Sequence, residues 1–207
     1  MEILLGEPVD LELVADLLQA GIKRQSPATP RDNSIWHVTN LLRSGQLIAK
    51  GDTRYWEGDG APSGIMSWGR IWESAVDCYL QDYATKHNGF YQSDVENIKD
   101  DVIASLDGIM FLSNLGWMVC ETKLRFTLNN EILLDHLQQV RAYCHLANTD
   151  LVCYVSGHIS STPPTARASM RIVKLTKQSI EECWQGILNT KTYLEKCGCF
   201  PQGRTKH

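Results

Sequence analysis

Residues 101–126 read DVIASLDGIMFLSNLGWMVCETKLRF. Two β-favouring segments, 101–112 and 116–126, flank Ser113-Asn114-Leu115-Gly116, a set of residues that favours a turn. The pattern predicts an antiparallel hairpin. With the turn centred between Asn114 and Leu115, residue 107 lies across from about residue 122, so Asp107 and Glu121 become close neighbours. Glu121 and Lys123 are two apart on one strand and share a face. Two carboxylates and one ammonium then converge at the end of the hairpin. Glu-x-Lys is common on exposed strands, and Asp before Gly is a common turn pair. Here the apolar run Trp117-Met118-Val119-Cys120 precedes Glu121, which places the charges at the end of a buried strand, where they need compensation.

The elements on either side extend the hairpin into a layered domain. Upstream, Ile65, Trp68, Ile71, Trp72, Ala75, Val76, Tyr79, Leu80 and Tyr83 repeat at helical spacing over 65–86, and 90–95 reads as a strand. Downstream come a helix over 130–147, strands at 151–159 and 166–175 around a Ser/Thr/Pro loop, and a helix over 177–196. The order α-β-β-β-α-β-β-α implies an α/β class: a central mixed sheet flanked by helices. In front, 10–22 reads as a short helix, 24–34 as a polar connection, 35–44 as a second helix stopped by Gly45, and 51–64 as a Gly-rich loop. Residues 1–62 are therefore an expected helical N-terminal elaboration, 63–196 the core, and 197–207 a frayed tail of one domain.

Composition narrows the function. The chain has 207 residues, 43% hydrophobic and 21% charged, which excludes a disordered chain or a rod. No run approaches the ~20 apolar residues of a membrane span. The start MEILLGEPVDLE lacks the basic region of a secretion signal, so the chain reads as cytoplasmic. Net charge is −4, with 20 Lys+Arg against 24 Asp+Glu. That argues against coating nucleic acid nonspecifically, but it suits an enzyme with acids at its centre and bases at its rim. The seven cysteines form no Cys-x-x-Cys pair and read as free thiols, several in apolar surroundings. His136, His145 and His158 lack metal-ligand spacing and read as ordinary histidines.

Carboxylates at this spacing suit Mg²⁺, which takes oxygen ligands and is often held by one or two carboxylates plus a phosphate. A lysine beside such an ion can orient a water and stabilise developing charge. Two further groups fit. Gln139 and Tyr143 are i and i+4 on the helix after the hairpin, and Glu73 stands on the long helix before it. Trp68 and Trp72, in the apolar stripe, read as core.

Asp107…Glu121-x-Lys123 resembles the motif of the PD-(D/E)xK nuclease superfamily, with Leu106 in place of the proline. Gln139-Val-Arg-Ala-Tyr143 is similar to the Gln-x-x-x-Tyr motif of its RecB-type branch. Gly69-Arg-Ile-Trp-Glu73 resembles the Gly-x-x-x-Glu helix of phage lambda-type exonucleases. The motifs span residues 69–143, about a third of the chain, in the family's order.

The resemblance implies a restriction-endonuclease-like fold in a single nuclease domain that hydrolyses DNA phosphodiester bonds. Asp107 and Glu121 would bind Mg²⁺ or Mn²⁺, with Glu73 and the Thr122 carbonyl as further ligands. Lys123 would position the attacking water, and Gln139 and Tyr143 would orient the site. Arg70, Arg125 and Arg141 flank the motifs and are the expected DNA contacts. The branch implies an exonuclease on DNA ends, in phage-type recombination or repair, and a homo-oligomer would fit the lambda-type pattern. The alternatives are an endonuclease of the same fold and a DNA-binding subunit without turnover.

Overall fold

The computed structural model describes residues 1–9, 19, 34–52, 63–125, 134–161 and 164–201. Along these the chain forms β1 (Glu2–Val9), β2 (Trp36–His37), α1 (Val38–Ala49), α2 (Ser63–Lys86) and β3 (Phe90–Lys99). It continues with β4 (Val102–Leu112), β5 (Gly116–Arg125), α3 (Leu134–Ala147), β6 (Leu151–Ser161), β7 (Pro164–Lys174) and α4 (Lys177–Lys196). The helix expected over 10–22, most of the connection after it, loop residues 53–62, the start of the helix expected from 130, and the tail from 202 lie outside the described residues.

The strands make one seven-stranded mixed sheet in the order β1-β7-β6-β5-β4, with β3 and β2 both on β4. Pairs β5–β6 and β2–β4 are parallel; the others are antiparallel. Helices cover both faces. On one face Val119, Val152, Tyr154 and Val173 pack with α1, α3 and α4. On the other, Met118, Cys120, Cys153, Val155, Met170 and Ile172 pack with Trp72, Val76, Leu80 and Ala84, a stripe four residues apart along α2. Helix α4 starts at an N-cap where Thr176 Oγ1 accepts from the Ser179 N–H, and it buries Ile180, Trp184, Ile187 and Leu194. All seven cysteines are free thiols, and Cys120, Cys144 and Cys153 are buried.

The first residues depart from the helical expectation. Residues 2–9 are an edge strand held by antiparallel pairing to β7. So short a segment takes its structure from its neighbour rather than from its own propensity. Nor does Gly45 stop a helix: α1 runs on to Ala49. A Cβ at Gly45 would lie 2.9 Å from Thr190 Oγ1, so the glycine serves the close crossing of α1 and α4. Strand β3 also outruns its expected end at 95, reaching Lys99. Asp100 and Asp101, at φ 53° and 59°, then make the tight turn into β4.

Strand β4 carries the irregularity that opens the sheet. Val102, Ala104 and Leu106 pack on the α3 face, whereas Met110 and Leu112 pack on the α2 face. Regular alternation would keep all five on one side. Strand β3 makes the same switch, with Tyr91 on the α2 face and Val95 on the α3 face. The β3–β4 ladder is continuous from Lys99↔Val102 to Phe90↔Phe111 except opposite Asp94, whose φ is 52°. The slip therefore falls at Asp94 and Asp107. Because β3 occupies one edge of β4, the other edge is shared. There β2 pairs with Val102–Ile103 and β5 with Gly108–Leu112. Between them, among the described residues, 104–107 carry no strand partner on that edge.

Candidate active site

The hairpin turn is closed by the Leu115 N–H to the Leu112 carbonyl and completed by Gly116 at φ 95°, a value that favours glycine. Three residues separate the pair Leu112↔Gly116, so the centre falls on Asn114 and the last ladder pair is Gly108↔Cys120. The expected register was one residue off. Carried one step further, the observed one sets Asp107 opposite Glu121 rather than opposite residue 122. Past that point the Thr122 N–H is met by Asp107 Oδ2 at 2.7 Å, and Thr122 Oγ1 donates to the same oxygen at 3.1 Å. Thr122 thus holds Asp107 through its N–H and hydroxyl.

Glu121 and Lys123 share the α3 face of β5, where their strand neighbours on β6 are Tyr154 and Ser156. Glu121 is wholly buried, its Oε1 ion-paired with Lys123 Nζ and its Oε2 without a partner. Burial pushes its carboxyl up to about 8; the Asp107 charge adds to this and Lys123 opposes it. For Lys123 the order of forces is different. Burial alone would lower its pKa, but the Glu121 and Asp107 charges outweigh that and hold the ammonium well above its usual range.

Two helices bring the remaining groups. From α2, Glu73 keeps an open side toward solvent, yet crowding by protein and then the Asp107 charge push its carboxyl up to about 7. From α3, Gln139 Nε2 donates to the Tyr143 hydroxyl at 2.8 Å. Tyr143 is buried, and its phenol is raised first by burial and then by the Glu121 and Asp107 charges. The six residues Glu73, Asp107, Glu121, Lys123, Gln139 and Tyr143 are thereby coupled around the split in the sheet.

The three arginines are not. Arg70 is exposed on α2, one turn before Glu73. Arg125, in contrast, is buried, its Nη2 donating to the Tyr154 hydroxyl at 2.8 Å and to His136 Nδ1 at 3.2 Å. It lies on the buried face of β5, two residues beyond Lys123. Arg141 is two residues from Gln139, about 200° around the helix. It sits on the side where α3 meets Cys183 of α4, away from the site. Of the tryptophans, Trp72 is buried against Gly157 and Trp68 is exposed.

Sequence reasoning passed over four residues. His136 Nδ1 lies 2.9 Å from the Tyr154 hydroxyl. Arginine can only donate, so Nδ1 is an acceptor and the neutral ring carries its proton on Nε2. On the α2 side the Tyr91 hydroxyl donates to Asp77 Oδ1 at 2.5 Å. The Tyr91 ring lies over Gly108, where a Cβ would come within 2.7 Å of it. The signals were weak ones: a glycine beside Asp107, and a tyrosine at the start of a largely polar strand.

With the fold and this geometry in hand, comparison is informative. No family model and no curated protein matches the chain. An alkaline exonuclease from Laribacter hongkongensis aligns over 79% of this chain and 89% of its own, at TM-score 0.52 and 10% identity. The chain shares that exonuclease's fold. The same enzyme in complex with dAMP aligns at TM-score 0.51 and 11% identity, over the same shares. A third structure, SSO0001, aligns over 86% of both chains at TM-score 0.46 and 16% identity. At its 10% identity, the likeness to the alkaline exonuclease establishes the nuclease-like α/β fold with its central mixed sheet. No described helix is long and apolar enough to cross a membrane.

Among the described residues, no group of three or more His, Cys, Asp or Glu side chains stands in an arrangement that could hold a metal ion as it is. The donors nevertheless fit a hard divalent cation. They are carboxylate oxygens, one of them buried without a partner, and neighbouring acids make protonation the alternative to a counter-charge. Asp107, Glu121 and Glu73 are the residues that would hold it.

Proposed function

We propose that this chain is a divalent-metal-dependent deoxyribonuclease that works from DNA ends. The observation that carries the reading is Glu121. It is a fully buried carboxylate, under the charges of Asp107 and Glu73, with Lys123 paired to it, at the split of a sheet shared in fold with an alkaline exonuclease. A fold of this kind is more stable with an apolar side chain there, and a buried acid–base pair is weak support for stability. Chemistry gives it a purpose.

A Mg²⁺ or Mn²⁺ ion bound there would neutralise charge on the scissile phosphate and lower the pKa of a bound water. The chain's own groups do the rest. Thr122 fixes the Asp107 carboxylate by two hydrogen bonds, so its second oxygen is aimed without needing to reorganise. Lys123 leaves Glu121 to orient the attacking water and to meet negative charge as it grows on the phosphate. Gln139 holds the Tyr143 hydroxyl in place over the pair. Arg70, exposed one turn before Glu73, would grip a neighbouring phosphate.

The test is one gel assay on end-labelled linear duplex, single strands and covalently closed circles, with Mg²⁺ or Mn²⁺ and with chelator. Loss of label from linear DNA, intact circles and silence in chelator are expected. Nicked circles would indicate an endonuclease of the same fold. Absence of cleavage on every substrate with either ion overturns the reading in favour of a DNA-binding subunit.

A further inference from the structure

The ladder partners of the site strand form rows that continue away from it. Glu121 pairs with Tyr154, and Tyr154 with Arg171; Lys123 pairs with Ser156, and Ser156 with Ser169; Arg125 pairs with His158, and His158 with Arg167. Directly paired residues share a face. Val119, Tyr154 and Val173 identify that face as the α3 side, while Val155, Ala168 and Met170 fill the opposite one. The sheet beyond the site is therefore a three-by-three array. It holds Lys123, Arg125, Arg167, Arg171 and His158, the hydroxyls of Tyr154, Ser156 and Ser169, and a single acid, Glu121.

This is not an ordinary solvated sheet face. Arg167 is exposed, but Arg171, Ser156, Ser169 and His158 are half-buried, as in a groove rather than on a crest. Ser156 and Ser169 satisfy each other at 3.0 Å, and His158 Nδ1 is buried with no hydrogen-bond partner. Among the described residues no carboxylate is ion-paired with Arg167 or Arg171, although the chain as a whole is acidic. Successive rows are about 6.7 Å apart and neighbouring strands about 4.8 Å apart. Arg125 and Tyr154 are buried with His136 of α3, so the accessible donors run from Lys123 through Ser156 and Ser169 to Arg167 and Arg171.

We infer that this face of β5–β6–β7 is the track of a DNA strand, whose phosphates are gripped by Arg167 and Arg171 as its scissile bond rests at Glu121 and Lys123. The inference rests on the nuclease reading for its direction but not for its test. Phosphates are the ligand that a donor-rich face with its one acid at the site end recognises best, and continuity with the site sets the occupant as the same strand.

The experiment measures binding of a fluorescent single-stranded oligonucleotide in chelator, where nothing is cut, as a function of salt. For Arg167→Ala/Arg171→Ala, affinity should fall at least tenfold, and the slope of log K against log salt should flatten by about 1.4, two contacts at ~0.7 each. Arg167→Lys/Arg171→Lys should recover affinity to within about threefold, which separates lost charge from lost folding. The control is Lys177→Ala/Lys196→Ala, an equal loss of charge on exposed positions of α4, and should leave the slope unchanged. Unchanged binding by the arginine double variant, or equal loss in the control, overturns the track. If wild type cleaves DNA while that variant binds like wild type, only the track fails. If wild type binds through the arginines yet cleaves nothing, only the nuclease reading fails.

Discussion

Strand β5 has two halves that obey different rules. Met118, Val119 and Cys120 are apolar, fully buried, and packed alternately against α2 and α3. Glu121, Lys123 and Arg125 continue the same strand in the same buried sheet, yet all three carry charge and all point to the α3 face. The first half repays its conformational cost by removing apolar surface from water. The second half forgoes that gain and holds its ions in place with a lysine, a tyrosine and a histidine. A strand that changes rules partway along, where its neighbour β4 splays away, separates the residues that hold the fold from those that act.

Two substitutions sharpen that comparison. In the charged half, Glu121→Gln should cut cleavage at least about 10³-fold, the scale of removing a charge-stabilising group, worth about 4 kcal/mol. The melting temperature should move little, because folding already disfavours the charged form of this carboxyl, a neutral group of the same shape replaces it, and Asp107 remains as a counter-charge for Lys123. In the apolar half, Val119→Ala should do the reverse. It costs about 2 kcal/mol of stability from lost burial and a small cavity, with cleavage kept within a few-fold below the melting range. Melting curves and initial rates on the two proteins suffice. If Glu121→Gln melts much earlier than wild type, the charged half is structural after all.

Within the charged half, stability and metal binding should respond oppositely to pH. Glu121 and Glu73 have folded pKa values raised to about 8 and about 7, above their ordinary 4.5. A carboxyl raised by folding contributes stability that is fully present below the unfolded value and is lost as pH rises through the folded one. Metal-free protein should therefore melt progressively lower between about pH 5 and 8, and Glu121→Gln should flatten that slope. Metal binding has the opposite sign, since the ion competes with those protons. Mn²⁺ affinity should climb up to about tenfold per pH unit for each of the two carboxyls still protonated, then level off above about pH 8. Calorimetric titration at several pH values checks it, and an affinity independent of pH would remove these carboxyls from the site.

What the sequence made legible was whatever repeats locally. The α2 stripe, the β4–β5 hairpin, α4 and the i, i+4 pair Gln139–Tyr143 follow from periodicity and turn chemistry within a few residues of each other. The register slipped by one because it depends on how many residues the turn consumes, and Ser113-Asn114-Leu115-Gly116 admits more than one count. The change of face at Asp94 and Asp107 is a property of two strands together, and neither shows it alone. The arginines failed for the same reason. Arg125 and Arg141 look alike in a string, but one is enclosed by Tyr154 and His136 and the other turns toward α4. Arg167 and Arg171 belong with the site only through two sets of ladder pairs to strands about 15 and 45 residues earlier in the chain.

The smallest effect expected concerns how the acting half is kept in reach of α2. Asp77 is one turn beyond Glu73 on that helix, and the Tyr91 hydroxyl joins its carboxylate to the strand pair that carries Asp107, lying 3.5 Å from the Asp107 carbonyl oxygen. The ring lies over Gly108, where any side chain would displace it. Tyr91 thus spans the gap between the element bearing Glu73 and the one bearing Asp107, without being a ligand itself. Tyr91→Phe keeps the ring and removes only the hydroxyl bond, about 1 kcal/mol of stability. If that bond sets the spacing of the carboxylates, the Mn²⁺ concentration for half-maximal cleavage should rise roughly three- to tenfold, about 1 kcal/mol at the site, while DNA affinity in chelator stays the same. A variant that loses stability but keeps its metal requirement would mean that apolar packing of α2 alone holds the two elements in register.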